Sequence, residues 1–168
     1  MAVRILLADD HTLVREGLRK ILEAQSGWEV IGEAADGREA VRQALDLKPD
    51  LIILDLAMPQ LSGVDAISQI VRRLPSTRVL VLSMHADEVY VTRAIKAGAH
   101  GYLLKDSAGT DLLRAVTALT QNKSFFSPAV SRVMLDDYVR QLAERGITDR
   151  YDTLSERERE VFQLIAEG

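Results

Sequence analysis

Leu51-Ile52-Ile53-Leu54-Asp55-Leu56-Ala57-Met58-Pro59 is the stretch from which the fold can be read. Four apolar residues in succession, closed by a carboxylate, lack the polar alternation of a sheet with one face in water. They suit a short strand covered on both faces. The same kind of run recurs at Ile5 to Ala8, Val79 to Leu82 and Tyr102 to Leu104, and Trp28 to Ala34 reads as a less apolar second strand.

Between these runs the apolar residues change to helical spacing. Val14, Leu18, Ile21 and Leu22 make one face, Ala40, Val41, Ala44 and Leu45 a second, and Ile67, Ile70, Val71 and Leu74 a third. Val91, Ala94 and Ile95 form a fourth, and Leu112, Leu113, Val116 and Leu119 a fifth. Asp36 with Glu39 has the spacing of a capping box, Pro75 closes the third helix, and Gly98 falls where the fourth should end. Strands alternating with helices predict an α/β fold, a doubly wound five-stranded parallel sheet with right-handed crossovers and helices on both faces. That unit fills residues 1–121.

The remainder reads differently. Gln121-Asn122-Lys123-Ser124 is a polar break, and Ser127-Pro128 opens a helix with Val130, Met134, Tyr138 and Leu142 at four-residue spacing. Residues 122–153 therefore read as a helical linker. In residues 154–168, Ser155 and Glu158 form another capping box before Val161, Phe162 and Ile165.

Composition sets outer limits. A chain of 168 residues with 47% apolar and 27% charged side chains can bury a core, which excludes collagen, a disulfide scaffold and disorder. Twenty-one basic against 25 acidic side chains give no overall attraction to nucleic acid or anionic lipid. With no cysteine, thiol catalysis and zinc–thiolate sites are excluded. No apolar run is long enough for a membrane span, and the greasy start is cut short by Asp9-Asp10, so a cytoplasmic protein is expected.

In an open parallel sheet, ligands bind beyond the carboxyl ends of the strands, where the strand order reverses. Asp9 and Asp10 follow the first strand, Asp55 ends the third, Ser83 the fourth and Lys105 the fifth. All fall on one rim. In the flavodoxin-like order 2-1-3-4-5 the first and third strands are neighbours, so three carboxylates crowd together and call for a cation. Oxygen ligands select a hard ion, Mg2+ above others, and His11 and His100 show no metal-binding spacing. A metal beside a carboxylate and an ammonium makes a phosphoryl pocket: Asp55 can attack phosphorus, Lys105 can neutralise the equatorial oxygens, and Ser83 can donate a hydrogen bond.

These residues resemble the receiver domain of bacterial two-component response regulators, in its NarL/FixJ (LuxR-type) subgroup. The resemblance rests on Asp9-Asp10, on Leu54-Asp55-Leu56-Ala57-Met58-Pro59 with Gly63, on Ser83-Met84-His85, and on Ala97-Gly98-Ala99-His100-Gly101-Tyr102-Leu103-Leu104-Lys105-Asp106. It covers residues 3–121. It implies that Asp55 is the phosphoacceptor, fed by a sensor histidine kinase or a small phosphodonor. It further implies Mg2+ on Asp10, Asp55 and the Ala57 carbonyl, with Asp9 helping through water, Lys105 as phosphate partner, and Ser83 with Tyr102 as a switch pair. Asp106 stands where many receivers have proline. Ala57 and His85 match positions that influence the lifetime of the phosphate.

Leu154 to Gly168 is similar to the opening of a LuxR-type helix-turn-helix domain, whose recognition helix would follow. The resemblance thus implies a transcription regulator with an incomplete output domain, binding promoter DNA only at full length. Phosphate on Asp55 is expected to draw in Ser83, let Tyr102 turn inward, shift the fourth helix and fifth strand, and favour a homodimer. The chain is then a phosphoacceptor rather than an enzyme, apart from autophosphorylation by small donors and autodephosphorylation. Three rivals differ in residues or readout. A Mg2+-dependent phosphohydrolase needs an acid where Ala57 stands. A nucleotide-binding module needs a glycine-rich loop where Asp9-Asp10-His11-Thr12 stands. A receiver acting only through protein contacts would use residues 122–168 as a dimerisation arm.

Overall fold

The computed structural model describes residues 2–145, 160–161 and 163–165. Strands β1 (Val3–Ala8), β2 (Trp28–Ala34), β3 (Leu51–Leu54), β4 (Arg78–Ser83) and β5 (Gly101–Leu104) coincide with the apolar runs. They alternate with α1 (Thr12–Glu23), α2 (Gly37–Leu47), α3 (Gly63–Arg73), α4 (Glu88–Ala97) and α5 (Ala108–Thr120). Every strand pair is parallel.

The runs are continuous because successive side chains enter two different cores. Leu6, Ala8, Ile52, Leu54, Val79, Val81 and Tyr102 pack toward Ala40 and Ala44 of α2, Ile67 and Ile70 of α3, and Val91 and Ala94 of α4. Ile5, Leu7, Leu51, Ile53, Leu80, Leu82 and Leu103 pack toward Leu18 and Leu22 of α1 and Leu112, Val116 and Leu119 of α5. Both faces of the sheet are thereby dry.

The sheet has six strands rather than the expected five, in the order 2-1-3-4-5-6. The addition is β6 (Phe125–Phe126), paired with Gly101 and Tyr102 of β5. Two residues are too few to show a period, so the strand is hidden behind the polar break. After it comes α6 (Pro128–Arg145), whose Val130 and Met134 are buried in the core shared by α2, α3 and α4. Arg140 of α6 pairs with Glu88 in the first turn of α4. Val161, Leu164 and Ile165 also pack against this core. Ser155 and Glu158 lie outside the described residues.

Local signals do what their chemistry predicts. Asp36 accepts a hydrogen bond from the Glu39 amide, and Gly98 ends α4 at φ 112°, a left-handed conformation open to glycine at little cost. The chain leaves α3 through Leu74 and Pro75.

Candidate phosphoacceptor site

The strand order reverses between β1 and β3, and the acidic residues lie at that point. Asp55 leaves β3 with its amide bonded to the Ala8 carbonyl, and Asp9 leaves β1 with its amide bonded to the Ala34 carbonyl. Both carboxylates are buried, at 2% and 3% exposure for Asp9 and Asp55. Burying two unpaired carboxylates would be prohibitive. Lys105, just past β5, supplies a counter-charge: its Nζ lies 2.9 Å from Asp9 Oδ2 and 3.1 Å from Asp55 Oδ2. Burial works against the charge on Lys105, but the contacts with Asp9 and Asp55 outweigh it and hold the ammonium above the ordinary lysine range.

Short bonds fix the remaining geometry. The Ala57 amide donates to Asp55 Oδ1 at 3.1 Å, which folds the β3–α3 loop back over the carboxylate. The His11 amide donates to Asp9 Oδ1 at 2.8 Å, which does the same for the β1–α1 loop. Gly63 lets α3 start close to the site. An added Cβ there would lie 2.4 Å from Leu56 Cα and 2.8 Å from the Asp55 carbonyl oxygen.

Asp9, Asp10, Asp55 and Lys105 are thus brought together, with Ala57 exposed beside Asp55. Ser83 and Tyr102 are brought together with each other. Burial pushes the Tyr102 phenol up to about 12, against a smaller downward pull from its hydrogen bond with Ser83. The Ser83 hydroxyl accepts from the His85 amide at 3.1 Å. The Tyr102 hydroxyl donates to the His85 carbonyl at 2.6 Å, and the ring is fully buried. Tyr102 was expected to turn inward only on phosphorylation. It is already inward, because its place in β5 directs the ring into the core shared with α4.

His11 is the residue that sequence reasoning missed. Its Nδ1 lies 3.0 Å from Asp9 Oδ1 and 3.1 Å from Asp10 Oδ1. The ligand atoms of Asp9, Asp10, His11 and Asp55 fall within 4.8 Å of one another, close enough to share one ion. An imidazole thus stands beside the acidic cluster, where the sequence reading placed no histidine. The signal was available, since an imidazole directly after paired acids shares their loop. His100 has a structural task instead: its Nδ1 accepts from the Val79 amide at 3.0 Å.

The model of the response regulator receiver domain family matches residues 5–117. The chain belongs to this family. Response regulator protein VraR of Staphylococcus aureus is 40% identical over all 168 residues, which span 78% of its length. A LuxR-family two-component response regulator from Aurantimonas sp. SI85-9A1 superposes with a TM-score of 0.78 at 34% identity, over 83% of this chain and 99% of that one. The isolated REC domain of RcsB from Salmonella enterica serovar Typhimurium, in the presence of phosphomimetic BeF3−, gives 0.73 at 32% identity, over 79% and 99%. The receiver is thus related to LuxR-type regulators, and its sheet is the flavodoxin-like one with a sixth strand.

The donor set fits a divalent cation. Three carboxylates, Asp9, Asp10 and Asp55, face one ammonium, an excess of two negative charges. Asp9 Oδ2 is also buried without an aligned hydrogen-bond donor, its counter-charge being the Lys105 ion pair. Among the described residues no helix is long and apolar enough to cross a membrane.

Proposed function

We propose that this receiver is phosphorylated on Asp55 with Mg2+ and controls transcription through a C-terminal DNA-binding part. The observation that carries the reading is the contact of Lys105 Nζ with Asp55 Oδ2 at 3.1 Å, at the reversal point of the sheet. Asp10, Asp55 and the Ala57 carbonyl would hold the ion, with Asp9 helping through water. When bound, it supplies positive charge for the equatorial oxygens of the transferring phosphoryl group.

This chain's own residues do the rest. An Asp55 carboxylate oxygen forms the new bond to phosphorus as the donor bond breaks, either P–N of a kinase phosphohistidine or P–O of a small acyl phosphate. The electron pair leaves with the imidazole or the carboxylate of the donor. Lys105, paired with Asp9 and Asp55, would follow the new negative charge by exchanging a carboxylate oxygen for a phosphoryl oxygen. Ser83 donates to a phosphoryl oxygen by letting go of its present partners. The Tyr102 hydroxyl then trades its Ser83 contact while keeping the His85 carbonyl, so the β4–α4 loop moves with the site.

The partners are a sensor histidine kinase, a second copy of the phosphorylated chain and, at full length, promoter DNA, in the cytoplasm. Residues 1–121 act as receiver, 122–153 as linker and 154–168 as the start of a helix-turn-helix domain. The kinship with VraR and a LuxR-family regulator supports this division.

Intact-mass spectrometry before and after treatment with acetyl phosphate and Mg2+ tests the site. One phosphoryl increment is expected on the wild type and none on Asp55→Asn. Full labelling of that variant overturns the phosphoacceptor, and full labelling in chelator overturns the metal.

A further inference from the structure

Arg15, near the start of α1, is a largely buried cation that takes no part in the phosphoryl chemistry above, with 16% of its side chain exposed. Its guanidinium forks between two partners. Nη1 donates to the backbone carbonyl of Asp9 at 2.5 Å, and Nε donates to Glu33 Oε1 on β2 at 3.2 Å. The second oxygen of Glu33 lies 3.5 Å from Arg19 Nε, one turn further along α1, so the anchor is itself held.

The Asp9 carbonyl belongs to the planar peptide that leads into Asp10, and gripping its oxygen fixes the tilt of that plane. The Asp9 amide still bonds to the Ala34 carbonyl, but β2 ends at Ala34. The guanidinium stands in for the next ladder donor. The following peptide is gripped as well, because the His11 amide donates to Asp9 Oδ1 at 2.8 Å. Asp10 therefore sits between two fixed peptide planes, which set its backbone angles and with them the direction of its side chain. Lys105 holds Asp9 and Asp55 by their carboxylates. The Asp10 carboxylate, 32% exposed, meets the exposed His11 ring at 3.1 Å and takes its place chiefly from the backbone.

We infer that Arg15 is a positioning residue of the phosphoacceptor site: by clamping the Asp9–Asp10 peptide to Glu33, it aims the Asp10 carboxylate at the bound cation. The inference rests on the Mg2+ reading of Asp10 and adds to it a residue of α1 and an anchor on β2. Charge alone does not perform this task. A lysine ammonium is a point donor on a flexible stem and cannot reproduce a rigid fork that spans a carbonyl and a carboxylate.

The test uses the whole unphosphorylated chain as wild type, Arg15→Met and Arg15→Lys, titrated with Mg2+ and followed by amide NMR. Removing a positive charge beside an acidic cluster would, by Coulomb's law alone, tighten binding of a divalent cation. Positioning predicts the opposite sign. Arg15→Met should bind Mg2+ at least about tenfold more weakly, the low end of what losing an outer-shell partner costs. Arg15→Lys, with the charge kept and the fork lost, should fall between the two. Labelling by acetyl phosphate should need correspondingly more Mg2+ in Arg15→Met, yet at saturating Mg2+ its rate should return to within about twofold of wild type, since binding rather than chemistry is lost. Wild-type Mg2+ affinity in Arg15→Lys, or unchanged or tighter binding in Arg15→Met, overturns the positioning role and leaves Asp55 as phosphoacceptor. If Arg15→Met does not fold, Arg15→Lys decides alone. A wild type that neither binds Mg2+ nor is labelled overturns the phosphoacceptor reading itself.

Discussion

Tyr102 donates its phenolic hydrogen to the backbone carbonyl of His85, 2.6 Å away. The bond joins β5 to the loop that opens α4, one strand over from Asp55. Tyr102 has no exposed surface, whereas His85 lies in an exposed stretch of the loop, so the bond is half-buried. Replacing Tyr102 by Phe keeps the ring and deletes the donor, leaving the His85 carbonyl to water. The variant should unfold with about 0.5–1.5 kcal/mol less free energy, the net contribution of a typical hydrogen bond. Because Asp55 and Lys105 do not touch the hydroxyl, acetyl phosphate should still label the variant in full. Chemical denaturation and intact mass, run side by side, check both halves.

Alkaline pH should weaken the fold through two residues at once. Tyr102 is pushed up to about 12 from 10.0 by burial. Lys105 is held above 10.5, the contacts with Asp9 and Asp55 prevailing over burial. In both cases the folded chain keeps its proton to higher pH than the unfolded chain does. Stability is therefore fully present below pH 10 and is lost as pH rises through the folded values. The unfolding free energy should be level near neutrality and fall above pH 10, less steeply in Tyr102→Phe. A flat profile to pH 11.5 would contradict both assignments.

A cation bound at the acidic cluster would compete with the Lys105 ammonium for the same carboxylates. Lys105→Met removes one positive charge from a cluster already two negative charges in excess, so the apo variant should be destabilised. Added Mg2+ should then restore more stability to the variant than to the wild type. Thermal melts with and without magnesium read the difference directly. Phosphorylation by acetyl phosphate should still fall, because the equatorial oxygens lose a partner.

Gly63 occupies a place where a methyl group meets backbone on two sides, Leu56 Cα at 2.4 Å and the Asp55 carbonyl oxygen at 2.8 Å. Backbone cannot swing aside as a flexible side chain can. Gly63→Ala should therefore push α3 away from the β3–α3 loop, at about 1–3 kcal/mol, the usual cost of overpacking. Asp55 is on that loop, so the labelling rate should drop as well. A variant with wild-type melting temperature and labelling rate would mean that the loop yields freely.

What could be read from the chain alone follows from how far each signal reaches. Leu51 to Leu54 and its counterparts declare themselves because burial on both faces removes every polar residue from the run. Asp9, Asp55 and Lys105 are ordinary residues singly, and become legible together because parallel strands bring their carboxyl ends to one rim. Phe125–Phe126 escaped because two residues carry no period, and its pairing with Gly101 and Tyr102 is long-range. His11 escaped because metal-binding histidines were sought by spacing, while here a single turn bonded through Asp9 Oδ1 brings the ring to the acids. The inward pose of Tyr102 escaped because one residue's rotamer depends on the core around it, including Phe126 and Val130 from beyond the polar break.

Arg140 and Glu88 connect α6 to the first turn of α4, with Nη1 to Oε2 at 3.0 Å and a second contact from Nη2. The contact lies at the end of α4 nearest the His85 loop, so it is placed to pass movement of that loop to α6. Both side chains are partly in water, and exposed pairs contribute about 0–1 kcal/mol. Arg140→Ala should therefore leave global stability within about 1 kcal/mol of wild type. The buried anchors Val130 and Met134 keep the start of α6 in place, so the effect should be confined to its second half. Hydrogen exchange should quicken at residues 136–144 and stay unchanged in β1 and β3. Glu88→Gln should reproduce that pattern, since it removes the same pair from the other side. Exchange that quickens equally along all of α6 would show that the helix docks through this ion pair rather than through its apolar start.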